Sequence, residues 1–217
     1  MPDDHQITEI RRAGRGARRE VYVDGERAWQ LTQKYLDKLG LVVGQRLSSD
    51  ALETLRQTIA QHETREAALR ALGQRARTRA DLRQRLLARG HPERAVAETL
   101  EWLAERGLID DEQYAQDRVT SLQRRRLGSR AIELKLRQEG VPHDLTRDVM
   151  AERAGELHET ELARDLAEQL NARWSAQEWP RRRARIYQQL TRRGFAGDAI
   201  TEALARLQPE DESSEAM

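Results

Sequence analysis

The chain has no cysteine, a single phenylalanine and only five prolines among its 217 residues. Without cysteine it can build no disulfide framework, no thiol nucleophile and no cysteine-based zinc site. Aromatic residues make up 4% of the sequence and hydrophobic residues 38%, which is little material for one thick core and favours thin, elongated helical packing. No uninterrupted apolar run approaches the roughly 18 to 20 residues of a spanning helix. The opening MPDDHQITEIRRAGRG has neither the apolar centre of a signal peptide nor the acid-poor character of a transit peptide. A cytoplasmic protein with no membrane partner is expected, holding one or two compact units at this length.

Motifs for catalysis are missing as well. There is no phosphate-cradling G-x-x-x-x-G-K-[ST] run, no G-x-G-x-x-G following a strand and no nucleophile elbow. The five histidines, His5, His62, His91, His143 and His158, stand at no ligand-like spacing. These absences point away from an enzyme and imply neither a metal nor a cofactor.

Charge is abundant and nearly balanced, with 38 basic and 37 acidic residues. The balance conceals an uneven distribution, because the last nine residues, PEDESSEAM, hold four acids and no base. The remainder is therefore basic, at +5. Lysine is scarce, at Lys34, Lys38 and Lys135 only. The arginine forks that replace it suit bidentate contacts to phosphate and carboxylate, although genome base composition produces the same bias. The acidic tail is expected to be disordered and to screen the basic face until a partner displaces it.

The first fifty residues differ from the rest. Ile7, Ile10, Val21 and Val23 lie in short stretches around Gly14, Gly16 and Asp24-Gly25, a dipeptide that favours tight hairpin turns. A small β-ribbon is expected there, followed by a helix from about Thr32 to Leu39 that stops at Gly40. The segment LVVGQRLSS leads out, and Ser48, Ser49 or Asp50 can cap the next helix.

From Ala51 onward the chain repeats itself. Gly90, Gly140 and Gly194 serve as markers. Four residues before them stand Leu86, Leu136 and Leu190; eight before, Leu82, Ile132 and Ile186; ten after, Leu100, Met150 and Leu204. All nine are aliphatic, and offsets of four and eight share one helical face. Each glycine then ends that helix in the left-handed conformation. A second helix follows, in the first copy near Pro92 with Val96, Leu100 and Leu103 as its stripe, until Gly107. A helix also precedes each marker helix, around Ala68 to Leu72, Tyr114 to Leu122 and Leu162 to Leu170. The unit is three helices, and units this small must lean on one another, as a curved rod rather than a ball. The expected division is a ribbon over 1–50, helical units over 51–110, 111–157 and 158–208, and the acidic tail over 209–217. Between the first two units, Asp110 and Asp111 are placed to cap the next helix.

The run Gly107-Leu-Ile-Asp-Asp-Glu-Gln-Tyr-Ala115, with the stretches 77–90 and 127–140 on either side of it, resembles the RecX family of bacterial recombination regulators. The likeness covers roughly residues 64 to 207, plus an N-terminal extension that some members carry. It implies a modulator that binds the RecA filament on single-stranded DNA; a monomer without enzymatic activity is expected. It also implies inhibition of ATPase, strand-exchange and coprotease activities, and so of recombination and the SOS response. Gly90, Gly107, Asp110, Asp111, Tyr114, Gly140 and Gly194 match the scaffold pattern. Two departures stand out: Trp174, Trp179 and Pro180 lie in a longer joint in the third copy, and Asp81 stands where the family often has Glu.

Contact residues are sought among the basic clusters. Arg124, Arg125 and Arg126 precede the middle helix of copy two, Arg181, Arg182, Arg183 and Arg185 take the equivalent place in copy three, and Arg75, Arg77 and Arg79 do so in copy one. Stacked units would repeat this patch along one side, facing phosphates or an acidic filament surface; singly, each arginine also fits a solvated helix entrance. Arg11, Arg12, Arg15, Arg18 and Arg19 on the ribbon form a secondary group, either a DNA or filament arm or an edge guarded by charge. Trp102 and Tyr114 are explained by packing. A direct DNA-binding architectural protein, with weak binding to single- or double-stranded DNA, is the alternative reading.

Overall fold

The computed structural model describes residues 4–14, 17–153 and 158–208. Arg15 and the acidic segment 209–217 lie outside the described residues. The N-terminal region is a four-stranded antiparallel sheet in the order β3-β2-β1-β4, built from β1 (Asp4–Arg12), β2 (Arg18–Val23), β3 (Glu26–Thr32) and β4 (Arg46–Ser48). Asp24 and Gly25, both at positive φ, turn β2 into β3, as a two-residue hairpin requires. The ribbon is thus larger than the sequence suggested. The lead-out segment returns as β4 to pair Asp4 with Ser48 and Gln6 with Arg46, and three residues are too few to show alternation. Helix α1 (Gln33–Leu39) starts where the Thr32 hydroxyl accepts the Tyr35 amide and ends at Gly40. Ile7, Val21, Leu31, Tyr35 and Leu36 form the core under the sheet, closed by Ile59 of the next helix.

That helix, α2 (Ser49–Gln74), is 26 residues long and capped by the Ser48 hydroxyl. Ile59 belongs to the sheet's core, whereas Ala67, Ala68 and Ala71 belong to the core of the first helical unit. One continuous rod of about 39 Å therefore serves both regions. The first unit is completed by α3 (Arg79–Ala88) and α4 (Glu93–Ala104). The second comprises α5 (Asp111–Arg124), α6 (Ser129–Gln138) and α7 (His143–Glu152). The third comprises α8 (Glu159–Arg173), α9 (Trp179–Arg192) and α10 (Gly197–Ala205).

Each unit has its own core, and the nine repeated aliphatic positions are all buried, none more than 7% exposed. Burial of one such side chain stabilises by about 2 kcal/mol. Gly90, Gly140 and Gly194 all adopt positive φ, at 84°, 87° and 75°. Four cores follow one another along the chain rather than merging. The accessible surface of 14040 Å² exceeds the roughly 10,000 Å² of a compact chain of this mass.

The units join through their middle helices. Thr78, the N-cap of α3, donates its hydroxyl proton to the Glu139 carbonyl at the end of α6 at 2.6 Å. One unit further on, the Gly128 and Arg130 amides at the start of α6 donate to the Arg193 and Gly194 carbonyls at the end of α9, at 2.9 and 3.1 Å. The three middle helices form a column in which each C-terminus meets the next N-terminus, an attractive alignment of helix dipoles. Glycine is required at the seams for space as well as for φ. A methyl group on Gly194 would overlap the Ala131 backbone, and one on Gly140 would lie 2.9 Å from Ala80 Cβ. At Gly90, the free end of the column, it would meet nothing within 4 Å.

Candidate nucleic-acid and filament interface

The basic clusters do not form equivalent patches. Relative to its marker glycine, α9 begins one turn earlier than α3 and α6. Arg181, Arg182, Arg183 and Arg185 accordingly lie within the first two turns of α9, not ahead of it. Among the 14 residues of α9 there are five arginines and no acid. Arg181 and Arg183 are exposed and form no ion pair with the described residues. Arg185 lies over the Trp174 ring at 4.8 Å. Arg182 lies over Trp179 at 5.5 Å and donates to the Ser175 and Gln177 carbonyls at 3.0 and 3.3 Å. The longer joint of the third unit thus has a physical role, since its two tryptophans hold two of the four arginines in place. Tyr187, one turn beyond Arg183, is 51% exposed; sequence reading missed it because tyrosine in an amphipathic helix normally packs.

The first unit is different. Arg77 is buried, donates through Nε to the Ala71 carbonyl at 3.0 Å and pairs with Asp81 at 2.8 Å. Two of its three guanidinium nitrogens are thus engaged within the unit. Its burial was invisible in sequence because the anchoring acceptor is a backbone carbonyl. Arg79 pairs with Glu101, and Arg83 with Glu93. Arg75 is exposed at the end of α2. In the second unit Arg124 and Arg125 are exposed. Arg126, at φ 57°, makes the left-handed turn after α5 and binds the Gln169 side chain. The Arg125 and Arg126 carbonyls accept from the Arg193 guanidinium at 3.3 and 3.4 Å. Positive charge free of local carboxylates therefore concentrates in the third unit and its seam with the second.

The described members of the secondary group, Arg11, Arg12, Arg18 and Arg19, lie on β1 and β2. Arg11 stacks on Tyr22 at 4.3 Å and pairs with Glu20, and Arg19 donates to Gln33. Because β4 pairs only Asp4 to Gln6, Arg11 and Arg12 occupy the part of β1 flanked by β2 alone. Arg18, on β2, is exposed.

Around Gly107, at φ 62°, the junction residues act as joints. Asp110 caps α5 by accepting the Gln113 amide at 2.9 Å. Asp111 reaches back to the first amide of α3, and burial raises its pKa above the ordinary value against the pull of that amide and of Arg79. Tyr114 donates its hydroxyl proton to Glu139 at 3.0 Å, and Arg118 grips the same carboxylate through Nε and a terminal nitrogen. Burial alone would raise the Glu139 pKa, but Arg118 and Tyr114 outweigh it and hold the group below its usual range.

His62 stacks on Tyr35, and His91 is within hydrogen-bond distance of the Thr64 hydroxyl. Among the described residues no group of three or more histidine or acidic side chains has a metal-binding arrangement, and no helix is long and apolar enough to cross a membrane.

Comparison with known proteins follows the same three-part division. Residues 65–103, 110–150 and 158–204 match the family models for the first, second and third three-helix domains of RecX. Regulatory protein RecX of Halorhodospira halophila is 36% identical over 155 residues, covering 70% of this chain and 93% of its own length. That of Mycobacterium avium is 35% identical over 163 residues, covering 70% and 89%. A crystal structure of regulatory protein RecX superimposes with a TM-score of 0.64 at 27% identity, over 91% of this chain and 99% of the other. With its three helical units, their seams and these relatives in agreement, the chain belongs to the RecX family of regulatory proteins.

Proposed function

We propose that the protein is a non-enzymatic regulator that binds the RecA filament assembled on single-stranded DNA in the cytoplasm. In this reading it restrains ATP hydrolysis, strand exchange and coprotease activity, and through them recombination and the SOS response. The observation that carries it is α9, which offers five arginines and no acid at one end of a row of linked units. A nucleoprotein filament presents phosphates and acidic protein surface in an extended repeat. A row of units can engage several filament subunits at once, so weak contacts gain from effective concentration. Inhibition is then steric and kinetic.

The test is RecA's DNA-dependent ATP hydrolysis with substoichiometric protein added. Slowing is expected, and it weakens with salt because guanidinium contacts to phosphate and carboxylate are screened. Absence of slowing at every ratio removes the reading. Direct DNA binding is favoured by the same carboxylate-free helix, and the two readings separate on affinity. Tightest binding to bare DNA identifies an architectural DNA-binding protein, and tightest binding to the assembled filament identifies the regulator.

A further inference from the structure

A second basic feature lies in the first unit, at the opposite end of the column from α9. Between the C-terminal half of α2 and α3 runs a groove of about 330 Å³. Arg70 and Gln74 of α2, Arg77 of the connecting segment, Arg85 of α3, Arg89 at the C-cap of α3, and His91 beyond the turn line it, and no carboxylate does. Two acids touch these arginines: Glu66 pairs with Arg70 at 3.2 Å, and Asp81 pairs with Arg77 and Arg85 at 2.8 and 2.9 Å. Arg89 has no ion-pair partner among the described residues. Four guanidiniums against two carboxylates leave a surplus of two positive charges at this groove.

The arrangement is ordered before any ligand arrives. Arg77 is fixed by the Ala71 carbonyl and Asp81, and Arg85 donates through Nε to both oxygens of Asp81, so their remaining N–H groups are already positioned. Two titrating groups register the resulting field. Burial would raise the Asp81 pKa, yet Arg85 and Arg77 hold it below the usual carboxylate range. His91 is kept below its ordinary value by burial and by Arg89 and Arg70.

We propose that this groove is a binding site for a phosphate group, a compact dianion held by Arg77, Arg85 and Arg89 with Arg70 and His91 at its rim. The charge surplus equals that of a phosphate monoester, and guanidinium forks match phosphate oxygens in pairs. The concave, arginine-floored shape accepts a compact group, whereas exposed α9 suits an extended strand. This site is separate from the filament reading, and either can fail alone.

The test uses the full chain and inorganic phosphate, with sodium chloride at matched ionic strength as the control. The His91 ring is followed by NMR and thermal stability is read in parallel. Phosphate is expected to raise the His91 pKa and the melting temperature, because a bound dianion favours the imidazolium and binding favours the folded state. Arg89→Ala, at an exposed position, should weaken phosphate binding at least tenfold without lowering stability in chloride. A response equalled by chloride, or unchanged in Arg89→Ala, overturns the proposal. The source of the group is read with 5′-phosphorylated and 5′-hydroxyl oligonucleotides in an Arg181→Glu, Arg183→Glu background. Tighter binding of the phosphorylated end assigns the group to a nucleic-acid terminus, and equal binding assigns it to a free phosphate compound.

Discussion

The Asp111 carboxylate accepts a hydrogen bond from the Arg79 backbone amide at 2.8 Å, so the first residue of α5 closes the open end of α3 in the preceding unit. The device recurs one unit later. Glu159, the first residue of α8, accepts from the Ser129 amide at the start of α6 at 3.1 Å and from the Ala196 amide at 2.8 Å. Each seam is thus held twice, by the column of middle helices and by an acid on the dipole of a neighbouring helix.

Asp111→Ala should destabilise the chain by about 1–2 kcal/mol, the usual cost of losing a capping acceptor. Asp111→Asn should not. The folded-state pKa of Asp111 lies above its ordinary value. The native state therefore holds the proton more tightly than the unfolded chain, and ionisation works against stability as pH rises through that window. Asparagine keeps the acceptor and removes the half-buried charge, so at pH 7 its stability should equal or exceed that of the parent. Urea denaturation of the three proteins checks the order, and an asparagine variant as unstable as alanine would show that the charge itself holds the seam.

Glu139 shows the opposite sign. Its folded pKa lies below the ordinary value of 4.5, so its contribution is complete above that pH and is lost as pH falls through the lowered folded value. Glu139→Gln should cost about 1–2 kcal/mol at pH 7, a moderate figure because the pair with Arg118 is only partly buried and solvent screens it. The gap between parent and variant should narrow on acidification below 4.5. A gap of constant width would place the effect in packing rather than in charge.

The glycines of the column separate two causes of destabilisation. Gly90→Ala meets open space and suffers only left-handed strain, about 1–2 kcal/mol. Gly194→Ala has the same backbone problem plus overlap with the Ala131 backbone, and should cost more than 3 kcal/mol or detach the third unit. Calorimetry distinguishes these outcomes, since detachment splits one transition into two. Equal penalties at the two glycines would show that the seam is looser than its geometry.

Periodicity revealed the helical units because each buries one stripe, and the stripe recurs at a fixed distance from a helix-ending glycine. What joins the units was hidden. Gly128, Thr78 and Asp111 act on partners between 32 and 67 residues away, and nothing local marks such pairs. Strand β4 escaped for a related reason, since its three residues are strand only by pairing with β1. The arginine sets looked equivalent because sequence counts charges without showing which are neutralised. Glu101 pairs with Arg79 from another helix, Asp81 and the Ala71 carbonyl engage two nitrogens of Arg77, and α9 has no such acid. Tryptophans read as part of a longer joint support Arg182 and Arg185.

That asymmetry fixes where binding energy should reside. Arg181 and Arg183 are exposed and unpaired by the described residues, so reversing both to glutamate should leave the fold intact. Arg182 is a poorer choice, because it donates to the Ser175 and Gln177 carbonyls and its loss confounds binding with stability. If α9 meets phosphates, each lost contact lowers the slope of log affinity against log salt by about 0.7–0.9. The double reversal should then flatten that slope by about 1.4–1.8 on single-stranded DNA or on the filament. Arg79→Glu, which replaces an arginine already neutralised by Glu101, should leave the slope almost unchanged. Fluorescence anisotropy across a salt series reads both variants directly. An equal loss of slope in the two would mean that the first unit carries as much of the contact as α9, and that an internal carboxylate gives way when the partner binds.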